Sequence, residues 1–147
     1  MADVTQQMLA DCRAAQAARV RRAEALHAAA LRAAATATEA TRAATDALLA
    51  AEAEWHRQMA ESFDPVLSNL LAQDVLGCAA AVEHAIAGQT TAEAGRDRSA
   101  DGWRREDARN AALEAEAAIA LRRMRRHADE RLLASFADRE TFRRAVR

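Results

Sequence analysis

Lysine and tyrosine are absent from this sequence, and in 147 residues proline occurs once, glycine four times and cysteine twice. With one Pro and only 8 Val and Ile residues, the chain lacks the turn formers and β-branched side chains of a sheet. Aromatic residues make up 3%, too few to stack nucleic-acid bases or to wall a substrate pocket. Composition therefore argues against a globular enzyme and against a nucleic-acid partner. Cys12 and Cys78 are too few for a disulfide framework and lack CxxC or His spacing for a metal, so both are expected reduced and buried. The start, Met1-Ala2-Asp3-Val4, is acidic where a secretory signal is basic, and no window of about 18 residues is free of charge. The expectation is a soluble, cytoplasmic chain without direct membrane insertion.

What the chain has is alanine. There are 43 Ala against 30 Val, Ile, Leu, Met, Phe and Trp together, so most of its 51% hydrophobic content is methyl groups. The 21 Arg nearly balance 22 acids, and a net charge of −1 demands neither nucleic acid nor an acidic membrane. From about residue 4 to 61 there is no Gly or Pro, which predicts one helix of roughly 90 Å at about 1.5 Å per residue. A helix that long must run beside another. Its seam reads at heptad spacing as Val20, Ala23, His27, Ala30, Ala34, Ala37, Thr41, Ala44, Leu48, Ala51 and Trp55, with Leu9 and Cys12 one stutter earlier.

The run breaks at Ser62-Phe63-Asp64-Pro65, where Pro65 suits a first helical position and Ser62 or Asp64 can cap it. Beyond it Leu67, Leu71, Val75, Cys78, Val82 and Ala85 mark a second amphipathic helix, about 66 to 142, weakened at Gly77. Residues 88–102 carry three Gly and several polar residues, and either a loop or a frayed helix fits them. The heptad phase of Val75, Val82 and Gln89 continues onto Trp103, Asn110, Ala117 and Met124 and favours helix. Leu113, Ala117, Leu121, Met124, Ala128, Leu132 and Phe136 are taken as one further stripe. The fold class is thus all-α: a single long antiparallel two-helix coiled-coil hairpin broken near 62–65, with 88–102 open to irregularity.

Folding back about the break pairs positions whose numbers add to about 129. Trp55 then meets Val75, Leu48 meets Val82, and His27 falls near Trp103. The Ala and Thr of 30–44 oppose the Gly-containing 85–99, so the middle should be the soft part. Residues after about 126 overhang the start of helix one.

Chemistry finds little purchase in these residues. No phosphate loop, GxSxG or HExxH occurs, and His27, His56, His84 and His127 stand alone. Neither a cofactor nor a metal is implied. The charge distribution says more, since residues 121–147 hold 9 Arg and 4 acids. Arg122, Arg123, Arg125 and Arg126 lie too far from the C-terminus to be explained by the helix dipole, and fit either docking on an acidic protein partner or a plain solvated face. Leu132, Leu133, Phe136 and Phe142 fall in the overhang, where uncovered apolar residues suggest an interface unless helix one, or a bend in the second helix, covers them.

One long helix, a sharp central break, a longer second helix and a charged end resemble the FliJ/YscO family, coiled-coil stalk proteins of flagellar and type III protein export machines. Gly102-Trp103-Arg104-Arg105-Glu106 and Glu130-Arg131-Leu132-Leu133-Ala134-Ser135-Phe136-Ala137-Asp138-Arg139 carry the resemblance locally, the second being similar to the family's closing segment. Ala-richness, and the Gly-containing 88–102, depart from the family's Gln, Glu and Lys. The resemblance implies a non-enzymatic stalk whose paired termini enter the ring of an export ATPase and whose turn reaches the export gate, peripheral at the inner-membrane apparatus, with export chaperones as further partners. It places Arg122, Arg123, Arg125, Arg126, Arg131, Leu132, Leu133, Phe136 and Arg139 at the ATPase, and Leu70, Leu71, Asp74 and Val75 at the gate. A different class also fits the pattern: a structural or adaptor coiled coil that self-associates into a helical bundle. The Ala-rich middle suits a monomer or weak oligomer better than a bulky bundle.

Overall fold

A computed structural model describes the backbone of residues 2–145 and the side chains of residues 6–142. It contains two helices, α1 (Ala2–Glu61) and α2 (Pro65–Ala145), packed antiparallel as a two-helix hairpin with no strand among the described residues. Residues 88–102 belong to α2 without interruption. The phase that carries Val75 onto Trp103 outweighs the three Gly, each of which weakens a helix by only about 1 kcal/mol.

The turn follows its residues. The Ser62 amide donates to the Gln58 carbonyl at 3.1 Å and closes α1. Of the two expected caps, Asp64 is the one used: its Oδ1 accepts from the amides of Val66 at 2.9 Å and Leu67 at 3.4 Å, satisfying donors that have no intrahelical partner. Pro65, which lacks an amide hydrogen, takes the first helical position.

The chain divides into two compact units, residues 1–22 with 104–147, and residues 23–103. In the second unit every expected seam residue from Ala23 to Trp55 is buried or half-buried, as are Leu71, Val75, Cys78, Val82, Ala85 and Gln89 on the facing helix. Ala34, with 7% of its surface exposed, is the most covered residue there, because alanines on facing seams let two backbones approach. At the turn, the Trp55 indole N–H donates to Ser68 Oγ at 3.5 Å, and the Ser68 hydroxyl donates to Met59 Sδ at 3.2 Å. His27 lies against Trp103 as the register requires, and its Nδ1 is 3.1 Å from Ser99 Oγ.

In the first unit the seam runs Leu9, Gln16 and Val20 on α1, against Glu106, Asn110, Leu113, Ala117, Leu121 and Met124 on α2. Two expectations are corrected here. Cys12 is exposed rather than buried, and Gln16 takes the seam position, only 9% exposed. Spacing back from Val20 by four and then seven reaches Gln16 and Leu9, so no stutter is needed. The Gln16 amide is satisfied by Glu106, donating to its carbonyl at 3.1 Å and to its Oε2 at 3.0 Å. Beside it, Arg13 Nε donates to Glu114 Oε1 at 2.9 Å while its Nη2 is 2.6 Å from Oε2, a two-pronged bridge between the helices. No buried side-chain polar atom among the described residues lacks a partner.

Candidate protein-docking surfaces

Beyond Met124 the seam of α2 loses its apolar character. The spacing that places Ala117, Asn110 and Met124 on the seam continues through His127, Arg131 and Asp138. Leu132, Leu133 and Phe136 lie about 100 to 200° around the helix from Arg131 at about 100° per residue. The expected stripe through Ala128, Leu132 and Phe136 drifts by about 40° at each step of four, and all three are exposed, as expected of an overhang past the start of α1. Every described residue from Arg125 to Phe142 is exposed, Leu133 at 69% and Phe136 at 63%. Leu133 lies about opposite the line through Met124 and Arg131, whereas Leu132 stays within about 20° of Leu121.

That outward face is continuous. Ile119, Arg122, Arg126, Leu133 and Phe136 follow one another at spacings of three, four, seven and three, which keeps them on one side of a helix over about 26 Å. Ile119, Arg122, Arg123 and Arg126 line a shallow depression of about 230 Å³. The Arg122 Nε–H donates to the Ala118 carbonyl at 3.3 Å, which holds the side chain along its own helix. Arg123, Arg125, Arg126, Arg131 and Arg139 make no ion pair with a described residue; of the local acids, Glu130 is engaged by His127 Nδ1 at 3.1 Å. Arg143, Arg144 and Arg147, counted in the basic end, lie outside the residues whose side chains are described.

A face of this kind can take up an acidic, partly apolar protein surface. Arg supplies flat, weakly hydrated donors that match carboxylates, and Leu and Phe supply area that salt does not screen. The described residues hold no group of three His, Cys, Asp or Glu able to bind a metal ion.

The turn end differs. Of its four expected contact residues, Leu70 and Asp74 are exposed, one helical turn apart, whereas Leu71 and Val75 are half-buried on the seam. Phe63, at 68% exposure, and Val66, at 70%, extend the outward patch to the turn itself. Phe63 stands in the break itself, and Val66 precedes the apolar stripe that begins at Leu67, so the spacing pattern passes over both. One 18-residue window within Pro65–Phe142 has a mean hydropathy of 1.3, which by length and composition would allow a membrane crossing.

Electrostatics in the seam are local. Glu106 is held below the ordinary carboxylate value, first by the Gln16 amide and further by Arg109 and Arg19. The Arg13 guanidinium is pushed up by its hydrogen bond and charge pairing with Glu114. Glu54, beside Arg57 and Gln58 on α1, is likewise lowered. In all three the shift comes first from a hydrogen bond to a neighbouring side chain. No protein-family model, curated protein or solved structure matches the chain.

Proposed function

We propose that the chain is a non-enzymatic stalk protein of a bacterial flagellar or type III protein export apparatus. Its terminal end docks into the ring of the export ATPase, and its turn end contacts the export gate. The observation that carries this reading is the outward Arg and apolar face of α2, uncovered from Arg125 to Phe142. Arg122, Arg123, Arg125 and Arg126 would meet acidic residues of the ring, Arg131 and Arg139 its rim, and Leu132, Leu133 and Phe136 an apolar recess. At the other end Leu70 and Asp74, with Phe63 and Val66, form the patch for the gate, while Leu71 and Val75 hold α2 on α1 behind it. The resemblance to FliJ/YscO proteins in helix order, break and closing segment supports the same assignment, as does the two-helix hairpin.

The mechanism requires no bond chemistry of this chain. A stalk that binds the assembled ring and not its separated subunits shifts assembly by mass action, and turnover rises because the ring is the active form. Export chaperones are further candidate partners, and the location is cytoplasmic, peripheral to the membrane-embedded gate. The test is ATP hydrolysis by the purified export ATPase of the same organism, titrated with this chain and with a variant in which Arg122, Arg125, Arg126 and Phe136 are all Ala. Saturable stimulation by the native chain, lost in the variant, supports the stalk role. Absence of both stimulation and co-elution at low salt overturns it.

A further inference from the structure

The near-zero net charge conceals a division between the two units. Residues 1–22 and 104–147 hold 16 Arg and 10 acids, a net +6, whereas residues 23–103 hold 5 Arg and 12 acids, a net −7. Little of this is neutralised internally. In the basic unit Arg123, Arg125, Arg126, Arg131 and Arg139 have no ion pair with a described residue, and in the acidic unit the same holds for Glu39, Asp46, Asp74 and Glu83. Charges mixed evenly along a helix are solvated without creating a field. Charges segregated by unit give each unit a potential of one sign and so favour a complementary surface.

A partner of a single sign would satisfy one unit and repel the other. A second copy of this chain satisfies both at once. When a two-fold axis places the basic unit of each copy against the acidic unit of the other, the same contact is made twice and the assembly closes at two chains. The exposed Leu133 and Phe136, on the Arg-bearing face, add apolar area to each contact.

We propose that the free protein is an antiparallel dimer in which the basic unit of each copy lies on the acidic unit of the other, covering the outward face of Arg122, Arg126, Leu133 and Phe136. A partner protein that binds this face then competes with the second copy. The inference does not depend on which protein that partner is, since it rests on the charges of this chain alone.

Sedimentation equilibrium of the full chain at pH 7 tests it. At 0.01 M salt the expected mass is about twice the 15.9 kDa of the chain, and at 1 M, where the screening length has fallen from about 30 Å to about 3 Å, that of one chain. The triple variant Arg122→Glu, Arg125→Glu and Arg126→Glu, and separately Glu39→Arg, Asp46→Arg and Glu83→Arg, should each weaken the low-salt dimer at least about tenfold, with helicity retained in circular dichroism. Mixed together, the two variants should recover the dimer, because reversed Arg positions then face reversed acids; a pairing of like units gives no such rescue. A single chain at low salt overturns the proposal. So do a dimer indifferent to salt and charge reversal, assemblies that grow past two chains with concentration, and failure of the mixed variants to pair.

Discussion

The imidazole of His27 lies parallel to the indole of Trp103, with ring centroids 6.1 Å apart and 4° between their planes. The Ser99 hydroxyl donates to the Arg96 carbonyl at 2.7 Å, which leaves its lone pairs for His27, so His27 Nδ1 carries the hydrogen and donates to Ser99. One residue of α1 is thereby tied to two of α2 where the seam is otherwise small. Trp103→Ala removes the largest side chain of that cluster and should lower stability by about 2 kcal/mol, less than for a fully buried Trp because the site is half-exposed. Urea unfolding followed by circular dichroism gives the value. An unchanged midpoint would show that the stacking contributes nothing.

Gly88, Gly95 and Gly102 stand seven residues apart inside α2, and a Cβ built at each meets no atom within 4 Å. Replacing them with Ala removes a penalty that nothing in the packing requires. Each substitution should stabilise by about 0.5 to 1 kcal/mol, and the triple by about 2 kcal/mol. Amide hydrogen exchange across residues 85–99, expected to be fast in the native chain because the seam there is small, should slow in the triple variant. Destabilisation would mean that the backbone at these positions is not free.

Which parts of this were legible beforehand follows from what periodicity can report. The α1 seam from Val20 to Trp55, the break at Asp64-Pro65 and the approach of His27 to Trp103 were readable because three-and-four spacing and one Pro are strong local signals. Gln16 was missed because a search for apolar positions passes over an amide, and Cys12 was favoured for the opposite reason; the satisfaction of Gln16 by Glu106 is a tertiary fact. The exposure of Leu132, Leu133 and Phe136 was readable because they fall past the start of helix one. That Leu70 and Asp74 face outward while Leu71 and Val75 face α1 needed the register of both helices.

The terminal face should be separable from the fold. Leu132, Leu133 and Phe136 are exposed, so each change to Ala should shift stability by no more than about 0.5 kcal/mol. A loss of 1.5 kcal/mol or more in a thermal melt would place these side chains in a contact that holds the hairpin and remove them from the docking face.

Acid should loosen the first unit through Glu106. Its carboxyl is held below the ordinary value of 4.5, first by the Gln16 amide. A carboxyl with a lowered folded pKa stabilises above the unfolded value, and that contribution is lost as pH falls below about 4.5 through the folded value. In Gln16→Leu the main cause of the shift is gone. Comparing urea midpoints at pH 7 and pH 3, the native chain should lose more on acidification than the variant. Equal losses would show that Glu106 is not held by Gln16.

Ala117 gives the sharpest test of the seam in the first unit. It is 2% exposed, the most covered residue described, while Ala115 and Ala118 beside it are open to solvent. Leu is as good a helix former as most residues, so at Ala118 it should change stability by no more than about 0.5 kcal/mol. At Ala117 the same side chain has to push α1 away, which should destabilise by about 1 to 3 kcal/mol. Ala117→Pro goes further, since it deletes a mid-helix hydrogen bond and clashes with the preceding turn, costing about 3 kcal/mol or more. If Leu at Ala117 and at Ala118 gave equal melts, the helices would not be in contact along this line, and the register through Gln16 and Glu106 would fall with it.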